Sequence, residues 1–86
     1  MTKTEQKTFQ TLDIGLASFL DLHYLPSTLE VNNEKVVFTF PISDDLYKLI
    51  TNYNSNMSVP VLDFVTTLKK LRGQMLTLRG QQNGRH

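Results

Sequence analysis

The sequence predicts a small single α+β domain of β-α-β-β-α-α order, with a three-stranded sheet built around a central hairpin and covered on one face by helices. Three patterns carry this expectation. Residues 35–40, Lys-Val-Val-Phe-Thr-Phe, alternate with the period of two that marks a strand. Residues 12–24 and 61–78 instead repeat their apolar side chains at helical spacing. Between residues 28–32 and 35–40 stands an Asn-Asn-Glu sequence, and asparagine tolerates the positive φ that tight hairpin turns require.

Residues 1–6 are polar and aperiodic and read as a flexible start. Residues 7–11 alternate weakly, which makes a short strand with Phe9 inward. Thr11 is the expected N-cap of a first helix over residues 12–24. Asp13 falls in its first turn, where a carboxylate suits the positive end of the helix dipole. Its buried stripe is expected to be Leu12, Leu16, Phe19, Leu20 and Tyr24. Small residues Gly15 and Ala17 permit close approach of a neighbour, and Pro26 limits the C-terminal end.

In the hairpin, Val36, Phe38 and Phe40 share one face and should look into the core beside Leu29 and Val31. Pro41 ends the second hairpin strand. Ser43 then caps a helix whose first turn holds Asp44 and Asp45, with Ile42 and Tyr47 placed as a hydrophobic staple. Leu46, Leu49, Ile50 and Tyr53 form its inward stripe, and the asparagine-rich stretch 52–56 closes it. Ser58 is the expected cap of the last helix, with Pro60 in its first turn. Val61, Phe64, Leu68, Leu71, Met75 and Leu78 follow at alternating spacings of three and four, a heptad-like seam with Gly73 on the opposite side. Gly80 is expected to stop this helix, leaving residues 80–86 as a flexible basic tail and residues 7–79 as the folded domain.

Phe9-x-Thr11-x-Asp13-x-x-Leu16-Ala17-x-Phe19-Leu20, Val36-Val37-Phe38-Thr39-Phe40, and Val59-Pro60-Val61 with Phe64 and a Leu-Lys-Lys-Leu run together resemble an uncharacterised family of small domains of unknown function found in prokaryotes and their mobile elements. The resemblance covers roughly residues 8–72. It implies the same element order and an origin in a phage or mobile element. The matching positions are core and cap residues, so the resemblance assigns no activity and carries over no functional residue.

The 86-residue chain has a net charge of +1, which hides an asymmetry. Residues 1–68 hold four lysines against eight acids, whereas residues 69–86 hold Lys69, Lys70, Arg72, Arg79 and Arg85 and no acid. A division of this kind points to a partner rather than to a fold. There is no cysteine, so neither a disulfide nor a thiolate metal site is available. His23 and His86 are too few for a histidine zinc site. No apolar run approaches a membrane span, and the N-terminal MTKTEQKT lacks the apolar stretch of a signal peptide, so a cytoplasmic protein is expected. A chain this short buries only about 60–65% of its unfolded surface, and oligomerisation is a common remedy.

No catalytic, metal or cofactor site is expected. Asp44 and Asp45 are adjacent on a helix and diverge by about 100°, which fits a cap better than a carboxylate dyad. Asp13, Ser18, Asp21 and His23 share one helix, but residues two apart on a helix do not face each other. The four glycines fit no phosphate-binding loop. The end of the last helix carries the functional expectation. A helix of about 20 residues is about 30 Å long, more than short strands can cover. Leu71, Met75, Leu76 and Leu78 should then overhang, with Leu71, Met75 and Leu78 as anchors for self-association, most simply as a dimer, and Arg72 and Arg79 as the polar rim. The alternative is that Lys69, Lys70, Arg72, Arg79 and Arg85 contact nucleic-acid phosphates, although the region has no base-stacking aromatic. An acidic protein partner would use the same charges.

Overall fold

A computed structural model describes residues 7–83, with side chains through Gly80. The elements are β1 (Thr8–Thr11), α1 (Ile14–Leu22), β2 (Thr28–Asn32), β3 (Lys35–Pro41), α2 (Asp44–Asn54) and α3 (Val61–Asn83). The order is β-α-β-β-α-α and the class is α+β. The sheet runs β1-β3-β2, and both outer strands pair antiparallel with β3. The hairpin register sets Leu29 opposite Phe38 and Val31 opposite Val36, while Phe9 of β1 lies opposite Phe40. These residues therefore share one face, and Val36, Phe38 and Phe40 are buried under the helices. The other face is polar, with Thr8, Gln10, Thr28, Glu30 and Asn32 exposed. Its Thr39 is shielded between the two outer strands, and its hydroxyl accepts from the Gln10 side-chain Nε2 at 3.5 Å.

The hairpin turn places both Asn33 and Glu34 at positive φ, 55° and 68°. That is the two-residue type of turn whose twist matches the strands. Asparagine accepts such a conformation readily, whereas glutamate is strained in it.

α1 begins at Ile14, later than the sequence predicts. Asp13, not Thr11, is the N-cap: its Oδ1 accepts from the Gly15 and Leu16 amides at 2.9 and 3.2 Å. Thr11 acts one step earlier, its hydroxyl accepting from the Asp13 amide at 3.0 Å. Leu16, Ala17, Ser18, Phe19 and Leu20 are all buried. A helix buried on every side has no single apolar stripe, so periodicity misplaces its ends. Leu12 is exposed, and Tyr24 is 90% exposed at φ 71°. Tyr24 occupies the left-handed position of a Schellman motif: its amide donates to Asp21 O, and the Leu25 amide donates back to Leu20 O, both at 2.9 Å.

α2 is capped by Ser43, whose hydroxyl accepts from the Leu46 amide at 3.1 Å, with Asp44 and Asp45 in the first turn. It ends in a second Schellman motif with Asn56 at φ 61° and the Met57 amide donating to Asn52 O. Leu46 is buried, and Tyr53 packs against Phe19 of α1 with ring centroids 5.3 Å apart and planes tilted by 53°. Gly15 makes this approach possible, because a Cβ there would stand 2.8 Å from the Tyr53 hydroxyl. Burial, and secondarily the charge of Asp13, raises the Tyr53 pKa above its ordinary value, so the phenol stays neutral.

α3 packs across α1 and the inner sheet face. It starts at Val61, with Pro60 rather than Ser58 at the cap position and the Phe64 amide donating to Pro60 O at 3.0 Å. Gly80 does not stop it. No described glycine adopts positive φ, so Gly80 lacks the left-handed geometry of a helix stop, and α3 runs on to Asn83. The expected tail from residue 80 is corrected to that extent. The flexible ends expected at 1–6 and 84–86 lie outside the described residues.

Candidate interaction surface

A helix of 23 residues is about 34 Å long, against about 23 Å for the seven residues of β3. The radius of gyration, 14.4 Å, exceeds the about 12 Å of a compact chain of this length. Burial on α3 is nevertheless governed by face more than by overhang. Phe64, Leu68, Leu71, Met75 and Leu78 fall within about 80° of one another around the axis and form the inward face. Leu71 is only 2% exposed and belongs to the core with Phe19, Leu20 and Phe38. Met75 and Phe64 pack against that core, and Leu78 is half-buried. Leu71 is therefore a core residue and not an exposed anchor. Val61, expected inside, is 69% exposed because it precedes the packed stretch.

A second stripe faces outward. Val61, Leu62, Val65, Lys69, Arg72, Leu76 and Arg79 span about 100° of the helix. Leu62 is 80% exposed and Leu76 54%, and Val65, Lys69, Arg72 and Arg79 are exposed too. Simple seam counting misses this stripe because cations interrupt its apolar residues.

The basic residues do not act as one patch. Lys70 Nζ lies 3.0 Å from Asp21 Oδ2, so α3 folds one of its charges back onto the acidic body through α1. No other ion pair occurs among the described residues. Arg85 lies outside them.

The residues that could suggest hydrolysis are engaged separately. Asp13 caps α1 and Asp21 holds Lys70. Ser18 is buried and donates to Ile14 O at 2.8 Å. His23, ten residues and about 15 Å along the helix axis from Asp13, packs against Phe19 with centroids 4.6 Å apart and planes tilted by 55°. No three His, Asp or Glu side chains gather as a metal-binding group among the described residues.

On another flank of α3 lies an open groove of about 650 Å³, lined by Leu29 of β2 and by Lys69, Lys70, Gly73, Gln74, Thr77 and Leu78. The position of Gly73 was legible in the helical pattern. That β2 stands opposite it was not, because only strand order places β2 at this edge of the sheet. No described helix is long and apolar enough to cross a membrane.

No curated protein and no solved structure matches the chain. A family model described as a domain of unknown function, DUF5659, matches residues 6–77, nearly the whole of the folded part. The core, cap and hairpin residues described above lie within that match, and the chain belongs to the DUF5659 family.

Proposed function

We propose that this protein is a non-enzymatic, self-associating interaction domain of a phage or mobile element, working in the cytoplasm, with α3 as its contact surface. The observation that carries this reading is the outward stripe of α3, where Val61, Leu62, Val65 and Leu76 are exposed among Lys69, Arg72 and Arg79. Exposed apolar residues grouped on one surface and rimmed by charge mark contact sites. Pairing two α3 stripes along a two-fold axis would set Lys69 and Arg72 against their own copies. The start of α2 is the better complement. Asp44 and Asp45 are exposed there between the partly exposed Ile42 and Tyr47. Packing α3 of one copy on α2 of the other joins opposite charges around apolar side chains, and a two-fold axis forms that contact twice.

Sedimentation velocity tests the reading. The wild type should be dimeric at tens of micromolar, and Leu62→Ser/Leu76→Ser should be monomeric yet still unfold cooperatively, with the thermal midpoint of a dilute, dissociated wild type. A monomeric wild type rejects it. Leu71 is unsuitable for this test because its loss would damage the core. The second reading is phosphate contact, supported by Lys69, Arg72 and Arg79 lying along one exposed flank. A duplex DNA arm of the same experiment separates the two. Three contacts predict a log–log salt slope of about −3 between about 50 and 200 mM, flattened in Lys69→Gln/Arg72→Gln/Arg79→Gln. No co-sedimentation at low salt removes that reading.

A further inference from the structure

The groove between β2 and α3 adjoins the outward stripe, with Lys69 on the border between them, and has a different chemistry. One wall is Leu29 of an edge strand. Among the described residues β2 has β3 on one side and no strand on the other, so one row of its main-chain donors and acceptors is unpaired within the described sheet. Such an edge is a template for another strand unless a proline, a bulge or an inward charge blunts it. The Thr-Leu-Glu-Val-Asn of β2 contains no proline, and its one charge, Glu30, lies on the exposed polar face, away from Leu29 and the groove.

The other wall is helical. Lys69 to Leu78 spans about 13.5 Å along α3, the length of about four extended residues. Gly73 keeps the middle of this wall low, and nothing lies within 4 Å of where its Cβ would stand. Leu29 and Leu78 offer apolar contact, while Lys69 and Lys70 stand together on the wall. Lys70 is occupied by Asp21, which leaves Lys69 to meet a charge on whatever enters.

We propose that this groove receives an extended acidic segment of a partner protein as an added strand on β2. Alternate apolar side chains of that segment lie between Leu29 and Leu78, and a carboxylate meets Lys69. Main-chain pairing supplies affinity in this mode, and pockets for alternate side chains supply selectivity. A helical occupant fits less well, because it would leave the edge groups of β2 unpaired.

Selection of a displayed library of random eight-residue peptides against the full chain tests the proposal. Enriched peptides should alternate apolar residues and carry Asp or Glu near one end. On titration with such a peptide, amide shifts should move at Thr28–Asn32 and Lys69–Leu78. Gly73→Leu fills the groove where there is room for the side chain and replaces a helix-weakening glycine, so it should fold and bind at least tenfold more weakly. Lys69→Glu should weaken acidic peptides and spare their Asn or Gln counterparts. Binding should survive in Leu62→Ser/Leu76→Ser, which separates this site from the self-association surface. Absence of enrichment, shifts confined to the outward stripe, or unchanged binding by Gly73→Leu would overturn it. So would self-association of the wild type that Gly73→Leu abolishes, since the occupant would then be a second copy of the chain.

Discussion

Gly15 and Tyr53 show how one missing methyl group sets the distance between two helices. A Cβ at Gly15 would stand 2.8 Å from the Tyr53 hydroxyl, and the ring cannot swing away freely because it packs against Phe19. Alanine gains up to about 1 kcal/mol of helix propensity over glycine, but overpacking costs about 1–3 kcal/mol. Gly15→Ala should therefore lose about 1 kcal/mol in urea denaturation. Gly15→Ala/Tyr53→Phe should recover most of it, because the clashing oxygen is gone. If the double variant is no more stable than Gly15→Ala, the steric account is wrong. The small residue was legible in the sequence as permission for close approach. The identity of the neighbour was not, since Tyr53 lies 38 residues away in sequence.

At the scale of elements, the turns and caps carry most of the visible strain. Tyr24 and Glu34 sit at φ 71° and 68°, where a side chain costs roughly 1–2 kcal/mol relative to right-handed backbone. Both are exposed, so their side chains contribute little packing. Tyr24→Gly and Glu34→Gly should each raise stability by about 0.5–1 kcal/mol, after allowing for the larger entropy of glycine in the unfolded chain. Chemical denaturation measures this, and a loss of stability in either variant would show that its side chain makes a compensating contact. The hairpin and the α2 cap were readable because Asn33 and Ser43 have short side chains suited to those backbones. The end of α1 was not, since nothing about a tyrosine announces a left-handed residue. Its conformation follows from the Leu20–Leu25 closure of the Schellman motif.

For the whole molecule, the decisive feature is that α3 carries two apolar stripes, one buried and one exposed. In melts at a concentration low enough to keep the chain monomeric, Leu71→Ala should cost about 2–5 kcal/mol, as for other buried leucines, whereas Leu76→Ala should stay within about 0.5 kcal/mol. Equal losses in thermal or urea melts would show that the outward stripe is packed after all. The division of charge also changes meaning once the chain is folded. Lys70 leaves the basic end to pair with Asp21, an exposed–part-buried pair worth at most about 1 kcal/mol, while Lys69, Arg72 and Arg79 remain on the outer flank. By itself the sequence determined the element order, the core face of β3, the α2 cap and the concentration of cations on the last helix, because these follow from local spacing and side-chain type. Only the tertiary structure decided that Leu71 is core, that Leu62 and Leu76 are surface, and that β2 edges a groove along α3. Those outcomes depend on which neighbours cover each face of a helix, and contacts between residues distant in the chain leave no periodic trace in it.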